Sequence, residues 1–406
     1  MRNNYWIENH PFFTLNDYEE IYKAATTNET PSYIYSTKVI EKQYKTLRES
    51  LPEKIKIFYA QKSNPNKQIL QLIKKLGAGC DTASLGEMAM AMDSGFSNED
   101  IMLTGPAKSK RELQFALQRK IFSINVESLQ ELELLNSMAE FNDTTQEILL
   151  RINPPFEAGE SNPIIGGMGV SKFGIDVDYV PEFIEKALAM KNVKLKGIHI
   201  FNSSQILDWE KIYNNTRDVI ETAMEISSNF DIPLKRLDMG GGFGIPYDRD
   251  EKELDIPKLG SELKALLASP EYKDFLKDAE MMYEPGRYLS GMSGIYVTKV
   301  LYTKVSNGRK IALIDGGINH LIRPILIRHP HPIINLSAIY EGRDNMDNYM
   351  VAGPLCTSLD RFDNAAMLND VRPGDVLAVL NAGAYGYTES MPLFLSHKPA
   401  QELFLN

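Results

Sequence analysis

Between residues 55 and 285, short apolar runs alternate with longer stretches in which apolar positions recur every three or four residues. The runs are Ile55–Ala60, Ala78–Asp81, Ile101–Thr104, Ile121–Asn125, Ile148–Asn153, Leu195–Ile200, Arg236–Met239 and Met281–Glu284. Apolar runs of this length, bounded by turn residues, predict strands buried on both faces. The stretches between them predict helices. Lys67–Leu76 stops at Gly77 and Leu85–Ser94 at Gly95, glycines suited to a left-handed C-cap, and Ser128–Ala139 and Trp209–Ser227 carry the same period of 3.6.

Strands that alternate with helices predict parallel pairing through crossovers. Eight such units close into a (β/α)8 TIM barrel, placed here at residues 37–290. An open doubly wound sheet would show the same alternation. Beyond residue 290 the texture changes: Ile295–Lys304, Lys310–Asp315, Tyr349–Ala352 and Asp375–Asn381 are β-branched or apolar runs separated by turns such as Ser-Asn-Gly. These predict a mostly antiparallel β domain over 291–406, which Ser32–Ser36 in the N-terminal segment 1–36 can join as a further strand.

Composition narrows the function. A 406-residue chain with 43% hydrophobic and 24% charged residues holds ample core material for two domains. A net charge of −10 argues against a nucleic-acid surface. The basic stretch Lys108–Lys110 with Arg111 is short, lies beside acids and reads as a solvated helix face. Cys80 and Cys356 supply neither a disulfide framework nor a metal cluster, so no metal is expected. The first residues lack the apolar core of a signal peptide and no apolar run reaches the ~20 residues that span a bilayer. The expectation is a reduced, cytoplasmic setting without a membrane partner.

In a parallel barrel the chemistry lies at the carboxyl ends of the strands. There the sequence has Lys62, Asp81, Arg151, His199 with Phe201, the glycine-rich Gly240-Gly241-Gly242-Phe243-Gly244, and Glu284-Pro285-Gly286-Arg287. A lone lysine after a strand is ordinarily solvated, and a glycine cluster is often only a tight turn. Together, backbone N–H groups of the glycine loop and the planar fork of Arg287 can hold a phosphate, while the lysine can hold an aldehyde. A carboxylate such as Glu284 would keep a proton on a pyridine nitrogen, although a salt bridge to an arginine would account for it too.

The chain resembles the fold-type III pyridoxal phosphate decarboxylases, which include the diaminopimelate, ornithine and arginine enzymes. The resemblance rests on Tyr-Ala-Gln-Lys-Ser-Asn-Pro-Asn at 59–66, Gly-Cys-Asp-Thr-Ala-Ser-Leu-Gly-Glu at 79–87, Ser-Lys-Phe-Gly-Ile at 171–175, and the glycine-rich and Glu-Pro-Gly-Arg segments. It continues with Asp-Gly-Gly-Ile-Asn-His-Leu-Ile-Arg-Pro at 315–324, Gly-Pro-Leu-Cys-Thr-Ser-Leu-Asp at 353–360 and Gly-Ala-Tyr-Gly at 383–386. It implies pyridoxal 5'-phosphate as cofactor, Lys62 as the Schiff-base lysine and Glu284 at the pyridine nitrogen. Ser204, Gly241, Gly242, Gly286 and Arg287 match the neighbourhood of the phosphate, and Tyr385 matches a tyrosine that reaches phosphate or substrate. Asp81 and Arg151 match positions close to the lysine and cofactor. Cys356 matches a proton donor contributed across a homodimer interface, although a cysteine is more often a small buried hydrophobe.

Three positions depart from the standard diaminopimelate and ornithine enzymes. Phe201 stands where those have a histidine stacked on the cofactor ring, and His199, on the same strand face, could substitute for it. Thr357 replaces the acid that holds a distal amine. Ile327 replaces a tyrosine, whereas Arg323, which matches a distal-carboxylate ligand, is kept. This pattern resembles specialised members that decarboxylate an amino-acid unit joined to a siderophore precursor or carrier-protein thioester, which makes a carrier protein a candidate partner. A racemase or epimerase on the same fold and a non-catalytic homologue that binds pyridoxal phosphate are the alternatives.

Overall fold

A computed structural model describes residues 5–154 and 171–405. The chain divides into two compact units, one of residues 43–244 and 253–286, the other of residues 1–42, 245–252 and 287–406.

The first unit is the expected barrel. Eight strands, Ile55–Ala60, Gly79–Thr82, Ile101–Leu103, Ser123–Val126, Gln146–Asn153, Val193–His199, Arg236–Asp238 and Glu280–Tyr283, pair in parallel, and the eighth closes on the first. Both strand faces are covered, which is why the strands read as near-continuous apolar runs. The helices between them carry their stop and start signals. Lys67–Leu76 is capped by Asn66 at its front and by Gly77, at φ +94°, behind. Ser84, Ser109 and Ser128 cap the three helices that follow, each hydroxyl accepting a backbone N–H and each adding about 1 kcal/mol. Gly197 marks the closest strand approach, since a Cβ there would fall 1.6 Å from the Arg236 carbonyl oxygen.

The second unit is a mixed, mostly antiparallel sheet. Gly294–Ser306 is its spine: its first half pairs with Ser32–Ser36 and Val376–Val379, its second half with Arg309–Ile314, all antiparallel. A register shift between Val300 and Tyr302 interrupts the pairing with Arg309–Ile314. Two pairings are parallel, Ser32–Ser36 with Gln401–Leu405 and Arg309–Ile314 with Met346–Ala352. Ile333–Asn335, Arg361–Asn369 and Gln401–Leu405 complete the sheet and are not announced by apolar runs in the sequence. No helix among the described residues is long and apolar enough to cross a membrane.

Candidate active site

The barrel strands present their acids and bases at one end. The first strand runs into a 3₁₀ turn, Gln61–Ser63, that carries Lys62. Lys62 Nζ lies 3.3 Å from Oδ2 of the buried Asp81, in the second strand, and 5.8 Å from the centre of the Phe201 ring. His199 ends the sixth strand and places Nε2 3.4 Å from Oε2 of Glu284, just after the eighth. That separation is long for a hydrogen bond, so the contact is chiefly electrostatic. Asp238, which ends the seventh strand, completes a buried trio whose ligand atoms lie within 4.8 Å of one another.

Two carboxyls buried this closely, with Glu284 also acting on the buried Asp81 carboxyl, cannot all be charged cheaply. Burial and the charge of Glu284 push the Asp238 carboxyl well above the usual carboxylate range, so it keeps its proton. Burial would raise Glu284 too, but the adjacent His199 imidazole and the Lys62 ammonium outweigh it and hold Glu284 down at about 2. Asp81 is raised by burial and then by Glu284, against the pull of Lys62. Of the three, Glu284 is the carboxylate held below its ordinary range.

The glycine loop is shaped by close packing. Gly240 adopts φ +65°, and its N–H donates to Asp238 Oδ1 at 2.9 Å. A Cβ on Gly241 would lie 2.3 Å from the Glu284 carbonyl oxygen, and one on Gly242, at φ +94°, 2.9 Å from that of Ser203. Ile206 latches the loop by donating to the Gly242 carbonyl and accepting from Gly244 N–H. Around this loop, Glu284 Oε1, Asp81 Oδ1, Asp238 Oδ2, His199 Nδ1 and Ser203 Oγ are buried without a hydrogen-bond partner among the described residues. Native interiors leave few such atoms, so this cluster suits a polar group bound beside it.

Arg151 has a different neighbourhood. Its Nη1 bonds Glu127 Oε1 at 3.0 Å, its guanidinium lies 4.7 Å from the Phe173 ring, and Glu127 also accepts from the N–H groups of Gly105 and Gly174. The network ties together the loops after the third, fourth and fifth strands. Lys108 corrects the sequence reading. Rather than lying on a solvated face, its Nζ is almost fully buried, 2.7 Å from Glu131 Oε1, and donates to the carbonyls of Gly105 and Asn125. Lys110 and Arg111 are exposed as expected.

The sheet unit holds a second cluster. Arg287 is buried and donates from Nη1 to Tyr247 Oη at 3.1 Å, while its Nε has no hydrogen-bond partner among the described residues. The Tyr385 ring centre lies 4.9 Å from the Arg287 guanidinium and 5.0 Å from that of Arg323, with the Tyr385 backbone at φ +55°. Two cations on one ring favour that geometry electrostatically. The Tyr247 ring meets buried His331 edge-on at 4.7 Å, and Arg323 pairs with Glu389 at 3.3 Å. Cys356 is exposed, Thr357 and Ile327 are half-buried, and Ser204 is half-buried beside the buried Ser203.

The family profile "Pyridoxal-dependent decarboxylase, pyridoxal binding domain" matches residues 37–291. The chain belongs to this family. It is similar to the L-glutamyl-[BtrI acyl-carrier protein] decarboxylase of Niallia circulans, 32% identical over 95% of this chain and 91% of that one. It is similar as well to the 2-[(L-alanin-3-ylcarbamoyl)methyl]-2-hydroxybutanedioate decarboxylase of Staphylococcus aureus, 31% identical over 92% of this chain and 93% of that one. Among solved structures, diaminopimelate decarboxylase from Helicobacter pylori complexed with L-lysine superposes with a TM-score of 0.84 at 30% identity, covering 96% of this chain and 94% of that one. The chain is thus a pyridoxal phosphate-dependent carboxy-lyase, and the donor set fits its cofactor: an anionic carboxylate for a protonated ring nitrogen, a glycine loop for phosphate and a lysine for the aldehyde.

Sequence reading had not singled out Asp238, Ser203, Glu127, Tyr247, His331 or Glu389. Asp238 had a usable signal, an acid ending the seventh apolar run. The others are joined to their partners only through the fold.

Proposed function

We propose that this enzyme removes the α-carboxylate from an amino-acid unit whose far end carries no free ammonium group, being joined instead to a carrier or scaffold. Thr357 supports this reading, because a neutral hydroxyl pairs only weakly with an ammonium group. The names of two relatives, one acting on a carrier-protein glutamyl group and the other on an amide conjugate, point the same way.

The observation that carries the mechanism is the buried cluster of Asp238, Glu284 and His199 at the barrel end that carries Lys62, with the Asp238 carboxyl pushed up and the Glu284 carboxyl held down. Bound pyridoxal phosphate supplies the sink for the electron pair left behind when carbon dioxide departs. Lys62 anchors its aldehyde carbon, and Glu284 holds a proton at its ring nitrogen. The glycine loop at Gly241 and Gly242, Ser203 or Ser204, and Gly286 hold its phosphate. Phe201 packs on the ring where relatives use histidine. Asp81, 3.3 Å from Lys62 Nζ, orients Lys62, and Arg151 holds the surrounding loops. Tyr385, Arg323 and Thr357 are assigned to substrate recognition, as the resemblance implies. Cys356 Sγ returns a proton to the α-carbon. An exposed cysteine suits a donor that serves the partner's site in a homodimer, and a reduced, cytoplasmic setting keeps it a thiol.

Carbon dioxide release tests the proposal with a panel of diaminopimelate, ornithine, lysine, a γ-glutamyl pantetheine thioester and a γ-glutamyl amide. The expected result is a kcat/KM for the neutral-ended conjugates at least ~100-fold above ornithine and lysine, the discrimination that a site lacking the partner of a buried charged group achieves. Preference for diaminopimelate would make this a diaminopimelate decarboxylase with a divergent pocket. Release from none of them would favour a non-catalytic homologue.

A further inference from the structure

Arg323 is already engaged by the chain itself. Glu389 Oε2 lies 3.3 Å from Arg323 Nη1, with the guanidinium 7% exposed and the carboxylate 28%. The approach is built into the loop: Ser390 Oγ accepts from Ile322 N–H at 3.1 Å and donates to the Gly386 carbonyl at 2.7 Å. The residue after Glu389 is thereby pinned to the residue before Arg323. The Tyr385 ring, from the same loop, has its centre 5.0 Å from the Arg323 guanidinium. Arg323 Nε remains buried without a hydrogen-bond partner among the described residues.

A guanidinium recognises a carboxylate through two parallel N–H bonds, and here an internal carboxylate already uses part of the fork. A second carboxylate would meet the like charge of Glu389 and have to displace it. A neutral carbonyl oxygen meets no such repulsion and can accept the unused N–H. We infer that Glu389 is a specificity residue that occupies Arg323, so that the enzyme prefers substrates ending in an amide or thioester carbonyl over those ending in a free carboxylate. This rests on the proposed reading that Arg323 faces the far end of the substrate.

The test measures binding to the pyridoxal phosphate-loaded enzyme through the cofactor's absorbance change. The probes are L-2-aminopimelate, its ω-amide and L-lysine. Wild type is expected to bind the amide tighter than the carboxylate. Glu389→Gln should shift that ratio about tenfold toward the carboxylate, the scale of a partly screened charge pair, and Glu389→Ala should shift it the same way. Glu389→Asp should restore the wild-type preference, and Arg323→Gln should remove it. An unchanged ratio in Glu389→Gln, or weaker carboxylate binding, would overturn the inference. So would a loss of L-lysine affinity in that variant, which would make Glu389 an ammonium ligand. Carbon dioxide release is measured separately: its absence from every substrate would sink the decarboxylation reading, while the binding ratio would still decide the role of Glu389.

Discussion

Asp238 and Glu284 stand side by side in the barrel interior with opposite protonation, Asp238 kept neutral by burial and by its neighbour's charge, and Glu284 held anionic at about 2. A protonated Asp238 can be replaced by its neutral isostere, whereas a charged Glu284 cannot. Asp238→Asn should keep kcat within about fivefold of wild type, while Glu284→Gln should lose ~100-fold or more, a cost of about 3 kcal/mol in the barrier. Steady-state carbon dioxide release checks both. Equal loss in the two variants would contradict the proton assignment. An acid limb of the rate profile between pH 5 and 8 must then come from a group other than Glu284.

The sheet unit carries an acid-sensitive element. Burial lowers His331 to about 3 and His10 to about 4, against an ordinary value of 6.5. A base held neutral in this way contributes stability that is present above pH 6.5 and is lost as pH falls toward those lowered values. The unfolding free energy from urea titrations should therefore decline from pH 6.5 to pH 4, by up to about 1.4 kcal/mol per pH unit for each histidine. Asp238 acts in the opposite sense, its contribution lost as pH rises through its raised value. His331→Asn should flatten the decline, because an amide in the same place takes up no proton.

Gly241 and Gly86 make a paired test of the glycine loop. A Cβ at Gly241 would strike the Glu284 backbone at 2.3 Å, while one at Gly86, inside the helix Leu85–Asp93, meets nothing closer than 3.7 Å. Gly241→Ala should cost about 1–3 kcal/mol and weaken retention of the cofactor. Gly86→Ala should stabilise by about 0.5–1 kcal/mol, since alanine is the better helix former. Thermal melts and cofactor content after dialysis separate the two.

Cys356 offers a test of subunit sharing. Cys356→Ala should slow turnover about 10²–10⁴-fold, the range of a lost proton donor, while leaving cofactor absorbance intact. Mixing it with Lys62→Ala should restore part of the activity, because one site of each hybrid dimer is then complete. No recovery would argue that each chain supplies its own proton donor.

Much of this was legible in the sequence because the relevant signals are local. The eight barrel strands were marked by apolar runs and their helices by glycine stops and a period of 3.6, and Lys62, Asp81 and Glu284 stood one or two residues from strand ends. What was missed is non-local or weakly patterned. Arg361–Asn369 reads Arg-Phe-Asp-Asn-Ala-Ala-Met-Leu-Asn and is half exposed, so no apolar run or clean alternation announces it. Lys108 looked like surface because charge alone does not reveal that Glu131 and two carbonyls wait for it. Glu389 lies 66 residues from Arg323, a distance that composition and periodicity do not bridge.

The most direct test of the whole account is where the cofactor is held. Borohydride reduction of the pyridoxal phosphate-loaded enzyme, followed by peptide mapping, should place the phosphopyridoxyl group on Lys62 alone, and Lys62→Ala should abolish the label. Labelling of a different lysine, or a label that survives in Lys62→Ala, would contradict it.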